Sequence, residues 1–248
     1  MSETARYKIK IFALAFILFG TGSVAAECPS VPEPHIPPPP LPLNIDQVKD
    51  LLLDYHDSDY LNDVSAVFSV AQAYIEERAS KVKKPAVVLD IDETSLSNWP
   101  ALVADDFGFI SNGRCDNPPA GPCGFSAWIL RAKAEAIPPA LKFFNAIKDK
   151  GIAIIFITAR PNTQRQATLR NLQRAGFNGW TKLVTRHEHD SFPSVQAYKT
   201  DARSKIAREY AIIASIGDQQ SDIDQEPNIK DGKPECGFKI PNPFYFIK

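Results

Sequence analysis

Pro85-Ala86-Val87-Val88-Leu89-Asp90-Ile91-Asp92-Glu93-Thr94 is the stretch that decides the fold. Its first five residues carry no charge and are rich in β-branching, as a parallel strand buried on both faces would be. Side chains along a strand alternate faces, so Asp90 and Asp92 project to one side at the carboxyl end while Ile91 turns away. In open α/β sheets that edge is where ligands bind, which puts two carboxylates together where chemistry is done. For an isolated Asp-x-Asp the competing reading is a capped turn. Three segments downstream weigh against it.

Ile152-Ala153-Ile154-Ile155-Phe156-Ile157 predicts a second strand, and it runs into Thr158-Ala159-Arg160. A helix should follow from near Pro161 to Gly176, with proline at its start and glycine at its stop. Trp180 to Val184 reads as a third strand, Thr200 to Tyr210 as a helix, and Ala211 to Ile216 as a fourth strand. That strand opens into Gly217-Asp218-Gln219-Gln220-Ser221-Asp222, and a fifth lies near Gly237 to Ile240. Strands alternating with helices imply an α/β fold in three layers, a mostly parallel five-stranded sheet covered on both faces.

Upstream, from Ile45 to about Lys81, apolar residues fall at helical spacing: Val64, Val67, Phe68, Ala71, Tyr74 and Ile75 share a face opposite Glu76, Glu77 and Arg78. Between Asp92 and Ile152 lie roughly sixty residues, far more than a βα connection needs. Part of that stretch, about 96–137, is expected to form a helical and loop cap over the site. It contains Trp99, Phe107, Phe109, Phe125 and Trp128, of which Trp99, Phe107, Phe125 and Trp128 either line a pocket for a flat leaving group or pack the cap. A helix from about Pro139 to Lys150, stopped by Gly151, leads back to the sheet.

The chain of 248 residues is 44% hydrophobic and 23% charged, which suits one globular domain over 45–248 with an insertion. Residues 1–26 read as a secretory signal: Arg6, Lys8 and Lys10 precede an apolar run from Ile11 to Phe19, and small residues lead to a cut at Ala26-Glu27. With that leader go three basic residues and one acidic one, leaving a net charge of −3 against −1 for the whole chain. No basic field for a nucleic-acid polymer remains, and no stable membrane insertion is expected once the leader is cut. Residues 27–44 form a proline-rich arm of extended geometry, with four prolines from Pro37 to Pro40.

Four cysteines follow the cut, and an even number in an oxidising compartment, secreted or periplasmic, suggests two disulfides. The turn-rich loop between Cys115 and Cys123 favours their pairing, leaving Cys28 for Cys236. Free thiols or another connectivity are the alternative. No CxxC or paired histidines flank these positions, so zinc is not expected.

The polar signatures at the strand ends describe phosphoryl transfer through an aspartate. A carboxylate attacking a phosphate monoester meets a group of its own sign, and that repulsion must be neutralised. A divalent cation with oxygen ligands does so, and Mg²⁺ suits Asp90, the main-chain carbonyl of Asp92, Asp218 and Asp222. The hydroxyl of Thr158, with backbone amides at Ala159 and beyond, suits the non-transferring oxygens, and Lys199 supplies a compact positive charge. Asp90 would then carry the phosphoryl group, and Asp92 would serve as general acid and afterwards base.

The blocks DIDET, ITAR, YKTDAR and GDQQSD resemble the four motifs of the haloacid dehalogenase (HAD) superfamily. The string from Val88 to Asn98 is similar to its secreted acid phosphatase branch, subfamily IIIB, with class B and C acid phosphatases and plant vegetative storage proteins. The tyrosine-containing helix ahead of the first strand extends the likeness from about Leu52 to the carboxyl terminus. The resemblance implies a Rossmann-like core, magnesium dependence and hydrolysis of small-molecule phosphomonoesters. It implies Asp90 as nucleophile, Asp92 as acid and base, Thr158 and Lys199 as phosphate ligands, and Asp218 with Asp222 on the metal side.

Storage relatives of that branch can lack the nucleophile, whereas this chain has it. A non-catalytic phosphate-binding or storage protein, or a phosphotransferase, are the alternatives on the same scaffold.

Some choices stay open in the sequence. Lys205 shares a block with Lys199, which is preferred for its place just before the expected helix. Arg160 either touches substrate or makes a surface ion pair. Asn98 and Trp99 either position a leaving group or form a turn. His187-Glu188-His189-Asp190 is read as a solvated loop, and His35 and His56 have no readable role.

Overall fold

The computed structural model describes residues 28–36, 43–223 and 235–246; the expected leader and Pro37 to Pro40 of the arm lie outside them. Two helices, α1 (Ile45–Ser58) and α2 (Tyr60–Ala79), precede the central strand β1 (Pro85–Leu89). An excursion follows through β2 (Leu96–Ser97), α3 (Trp99–Ala104), β3 (Cys115–Asn117), β4 (Ala120–Cys123), α4 (Phe125–Arg131) and β5 (Glu135–Ala136). The chain continues with α5 (Pro138–Asp149), β6 (Ala153–Pro161), α6 (Arg165–Arg174), β7 (Lys182–Arg186) and α7 (Val195–Ile206). It closes with β8 (Ala211–Gly217), the short α8 (Gln220–Ile223) and β9 (Cys236–Lys239).

β7, β6, β1, β8 and β9 form, in that order, a parallel sheet. Leu89 pairs with Phe156 on one side and Ile216 on the other, so three strands come level at their carboxyl ends. From β1 the chain moves outward to β6 and β7, then returns to lay β8 on β1's other flank. That reversal opens a crevice at the strand ends, where α/β sheets bind ligands.

Alternation along β1 and β6 sorts the core. Val87, Leu89, Ile154 and Phe156 face the helical layer that holds Val64, Phe68, Phe143 and Phe144. Ala86, Val88, Ile155 and Ile157 face Tyr198, Ala202 and Ile206 of α7. Phe177 sits edge-on to Phe144 and Phe156, with ring centroids at 5.2 and 5.9 Å. Burying each such ring contributes roughly 2–3 kcal/mol.

Several boundaries differ from those expected. The helical stretch from Ile45 breaks at Asp59, which ends α1 and starts α2, and both Tyr55 and Tyr60 on its flanks are buried. β6 runs on through Thr158-Ala159-Arg160 to Pro161, which meets β7 again opposite Arg186 after an irregularity in register.

α7 starts earlier than Thr200: the Ser194 hydroxyl accepts the Ala197 amide at 3.1 Å, an N-cap five residues before Lys199. Lys199 therefore lies inside α7, not ahead of it. Both disulfides pair as favoured, Cys28 with Cys236 and Cys115 with Cys123.

Candidate active site

The two-residue alternation of β1 continues past its last residue. Asp90 has the parity of Ala86 and Val88 and so points toward the α7 layer, while Ile91 is fully buried on the opposite side. The main chain here is held at both ends. The Asp90 amide donates to the Ile216 carbonyl at 3.0 Å, and the Ser95 hydroxyl donates to the Asp90 carbonyl at 2.7 Å.

From α7, the Lys199 ammonium reaches Asp90 Oδ1 at 2.7 Å and also pairs with Asp222. Lys205, by contrast, is largely exposed and pairs with Asp201 one turn away, at 2.8 Å. Of the two lysines it is Lys199 that meets Asp90.

Asp218 follows β8 directly, and α8 brings Asp222 back over it. A Cβ at Gly217 would overlap the Asp222 carboxyl, so the close approach requires glycine there. Carboxylate oxygens of Asp90, Asp218 and Asp222 all lie within 4.8 Å of one another, and all three residues are buried. Asp218 is braced from three sides: Thr94 Oγ1 donates to Oδ1 at 3.2 Å, and Gln219 and Asn242 amides donate to Oδ2 at 2.5 and 2.7 Å.

Electrostatics follow from that crowding. Burial, then repulsion from Asp222, pushes the Asp90 carboxyl well above the usual range, against the pull of Lys199. The same two causes carry Asp218 to about 6. Burial disfavours the charge on Lys199, but Asp222 and Asp90 outweigh it and hold the ammonium protonated. Three buried carboxylates against one lysine leave excess negative charge, and every donor is oxygen. A hard divalent cation fits that donor set.

Asp92 occupies a different environment. Arg160, only 3% exposed, clamps it with Nε to Oδ2 at 3.0 Å and Nη2 to Oδ1 at 2.6 Å. Arg160 is buried and Asp92 half-buried, so the pair lies within the site, which corrects the surface ion-pair reading of Arg160. Burial works to raise the Asp92 carboxyl, yet Arg160 outweighs it and holds the group below its ordinary value.

Thr158 is fully buried at the end of the same strand, and its Oγ1 accepts the Arg160 amide at 3.2 Å; Ala159, between them, is half-buried. Tyr198 of α7 donates its hydroxyl to the Thr158 carbonyl at 3.1 Å, tying β6 to the helix that carries Lys199.

Glu93 takes a left-handed turn at φ 50° and is 2% exposed. Burial and the adjacent Asp92 push it to about 8. Its carboxylate accepts the Asn98 backbone amide at 2.5 Å and the Asn98 side-chain amide at 2.8 Å. Neither Glu93 nor Asn242 stood out in the sequence, because a lone Glu or Asn acquires meaning only from the carboxylate it meets.

Trp128 donates its indole N–H to Asn98 Oδ1 at 2.8 Å. Trp99 stacks on His56, rings parallel within 1° and 3.5 Å apart, with Phe107 and Phe244 edge-on. Phe125 meets Phe109 instead. His187, Glu188 and His189 are exposed in the loop after β7, where Glu188 accepts the Thr163 amide at 2.5 Å.

Comparison with known proteins agrees on one family. The family model of the HAD superfamily, subfamily IIIB (acid phosphatase), matches residues 44–248. The stem 28 kDa glycoprotein of Glycine max is 33% identical over 197 residues, covering 78% of this chain and 72% of its own length. Acid phosphatase 1 of Solanum lycopersicum is 30% identical over 161 residues; the match covers 64% of this chain and 58% of that relative. Among solved structures, the class C acid phosphatase from Bacillus anthracis with tungstate bound aligns with a TM-score of 0.62 at 25% identity, over 82% of this chain and 86% of that one.

Proposed function

The chain belongs to the acid phosphatase family of HAD subfamily IIIB, and from that premise we propose that it is an exported, Mg²⁺-dependent hydrolase of small phosphomonoesters, with Asp90 as nucleophile. The observation that carries the reading is the meeting of Asp90, Asp218, Asp222 and Lys199 at the carboxyl edge of the sheet. Export is supported by the two disulfides. No helix of the described residues is long and apolar enough to cross a membrane.

In this mechanism Asp90, Asp218, Asp222 and the main-chain carbonyl of Asp92 would hold the cation, which supplies the charge neutralisation that a carboxylate needs to approach a phosphate. Lys199, fixed by two carboxylates, adds a positive charge beside the attacking oxygen. Thr158 and the Ala159 amide bind oxygens that do not transfer.

Attack forms the bond from Asp90 to phosphorus and breaks the ester P–O bond. At acid pH a monoester retains one proton, its second pKa being about 6. Asp92, ionised beside Arg160, takes that proton and passes it to the departing alkoxide. Water then attacks the phosphoryl group, Asp92 accepts its proton and hands it to the leaving phosphate, and Asp90 is regenerated.

The test is phosphate release from an aryl phosphate with Mg²⁺ and with chelator. Release should stop with chelator and in Asp90→Asn, while Asp92→Asn should slow turnover by about a hundredfold or more. Full release in Asp90→Asn removes the nucleophile. A wild type that binds phosphate but releases none points to the storage reading. Transfer to an added alcohol in preference to water points to a phosphotransferase.

A further inference from the structure

Asn98 is fully buried, and two of the partners of its side chain, the ionised Asp92 and the Trp128 indole, are of fixed polarity. Its side-chain Nδ2 donates to Asp92 Oδ1 and to Glu93 Oε2, both at 2.8 Å, and its Oδ1 accepts the Trp128 indole N–H at 2.8 Å. An indole nitrogen only donates, and the Asp92 carboxylate only accepts. A flipped amide would set its oxygen against the Asp92 carboxylate and its NH₂ against the indole N–H. The orientation of Asn98 is therefore set by Trp128, which belongs to α4 in the excursion between β2 and β5.

The consequence falls on Asp92. Its Oδ1 accepts from Asn98 at 2.8 Å and from Arg160 Nη2 at 2.6 Å, and shares Arg160 Nε at 3.2 Å, so both its lone pairs are taken. Its Oδ2 accepts from Arg160 Nε at 3.0 Å, so one lone pair is left. The carboxyl plane is gripped along one edge by arginine and at one oxygen by asparagine, with Oδ2 left to exchange a proton. Without Asn98, Oδ1 would lose the donor opposite the guanidinium and the carboxyl would be held by arginine alone.

We propose that Asn98, oriented by Trp128, is a positioning residue that aims Asp92 Oδ2 at the oxygen leaving the substrate, so that the tryptophan of α4 acts on proton transfer without touching it. The inference rests on the phosphatase reading above. It differs from a purely structural role in one measurable respect. Protonation matters most for a poor leaving group, which cannot depart as an anion, and least for a good one.

Two esters separate the possibilities: an alkyl phosphate, whose alkoxide needs the proton, and an activated aryl phosphate, whose phenoxide hardly does. Asn98→Ala should lower kcat on the alkyl ester by about tenfold or more, with KM within about threefold, and lower it on the aryl ester by less than about threefold. Trp128→Phe keeps most of the ring and removes the N–H. It should give a smaller loss with the same preference, and it decides the matter if Asn98→Ala does not fold.

Equal losses on both esters in a folded variant, or a change confined to KM, overturn the inference and leave the phosphatase reading standing. A wild type that turns over neither ester overturns that reading and this inference with it.

Discussion

Tyr60, the first residue of α2, is 3% exposed, and its hydroxyl has no hydrogen-bond partner among the described residues. Burial and the nearby charges of Glu93 and Asp218 raise it well above the usual range for a phenol, so it stays neutral. A buried hydroxyl without a partner carries its full desolvation cost, about 1–3 kcal/mol. Tyr60→Phe removes that cost and keeps the ring against Tyr55 and Phe244, whose centroids lie 6.0 and 5.2 Å away. The variant should unfold at an equal or higher urea concentration than the wild type. A clear fall in the midpoint would mean that the hydroxyl is satisfied in solution.

The same scale shows what a sequence can carry. Asp90, Asp92 and Asp218 are legible because charged residues directly after apolar strands fall at the sheet's carboxyl edge, whereas Lys199 was preferred for a place ahead of its helix and reaches Asp90 from inside it. Asn98 stayed ambiguous and Tyr60 invisible. Their environment depends on α4, α2 and the β1 turn meeting in space, and no spacing rule encodes that.

At the level of elements, β1, β6 and β8 were legible from short apolar runs, because strands buried on both faces need them. The edge strands β7 and β9 are buried on alternate residues only and carry a weaker signal. Element ends were less legible, since they are decided by local hydrogen bonds. At α7 the Ser194 hydroxyl caps the helix six residues before its expected start at Thr200.

Asp63 of α2 ties the arm to the domain at His35. The His35 backbone amide donates to Asp63 Oδ2 at 2.7 Å, its ring pairs with Asp63 Oδ1, and Tyr55 donates to the same carboxylate at 2.9 Å. The Asp63 hydrogen bond, then its charge, raises His35 above its ordinary 6.5. Burial works to raise Asp63, but the bonds from His35 and Tyr55 outweigh it and lower the carboxyl below its ordinary 3.8.

A raised histidine contributes stability fully below 6.5 and loses it as pH rises through the folded value; a lowered aspartate contributes above 3.8 and loses it as pH falls through its own. The arm is thus held best between those two values, in the acid range. An NMR titration should place His35 above a free histidine, and Asp63→Asn should return it to normal. An unshifted His35 in the wild type would mean that the contact does not persist.

Across the whole molecule, the two disulfides do unequal work because they close loops of very different length. Cys28 and Cys236 are 208 residues apart, and Cys115 and Cys123 only 8. On the chain-entropy model the long loop is worth about 5 kcal/mol and the short one about 2–3 kcal/mol. The long one also fastens an edge of the site. Cys236 begins β9, a four-residue strand that pairs with β8 alone. Just beyond it the Ile240 amide donates to the Gly217 carbonyl at 2.8 Å, and Asn242 braces Asp218.

Freeing β9 should therefore loosen Asp218 as well as lower stability, whereas opening the short loop should spare the strand ends. Replacing Cys28 and Cys236 by serine should lower the urea midpoint more than replacing Cys115 and Cys123. It should also raise the Mg²⁺ concentration needed for half-maximal phosphate release, which the second pair of substitutions should leave within about twofold. Were the Cys115 and Cys123 pair to cost more on both measures, loop length and the attachment of β9 would not be what the long disulfide secures.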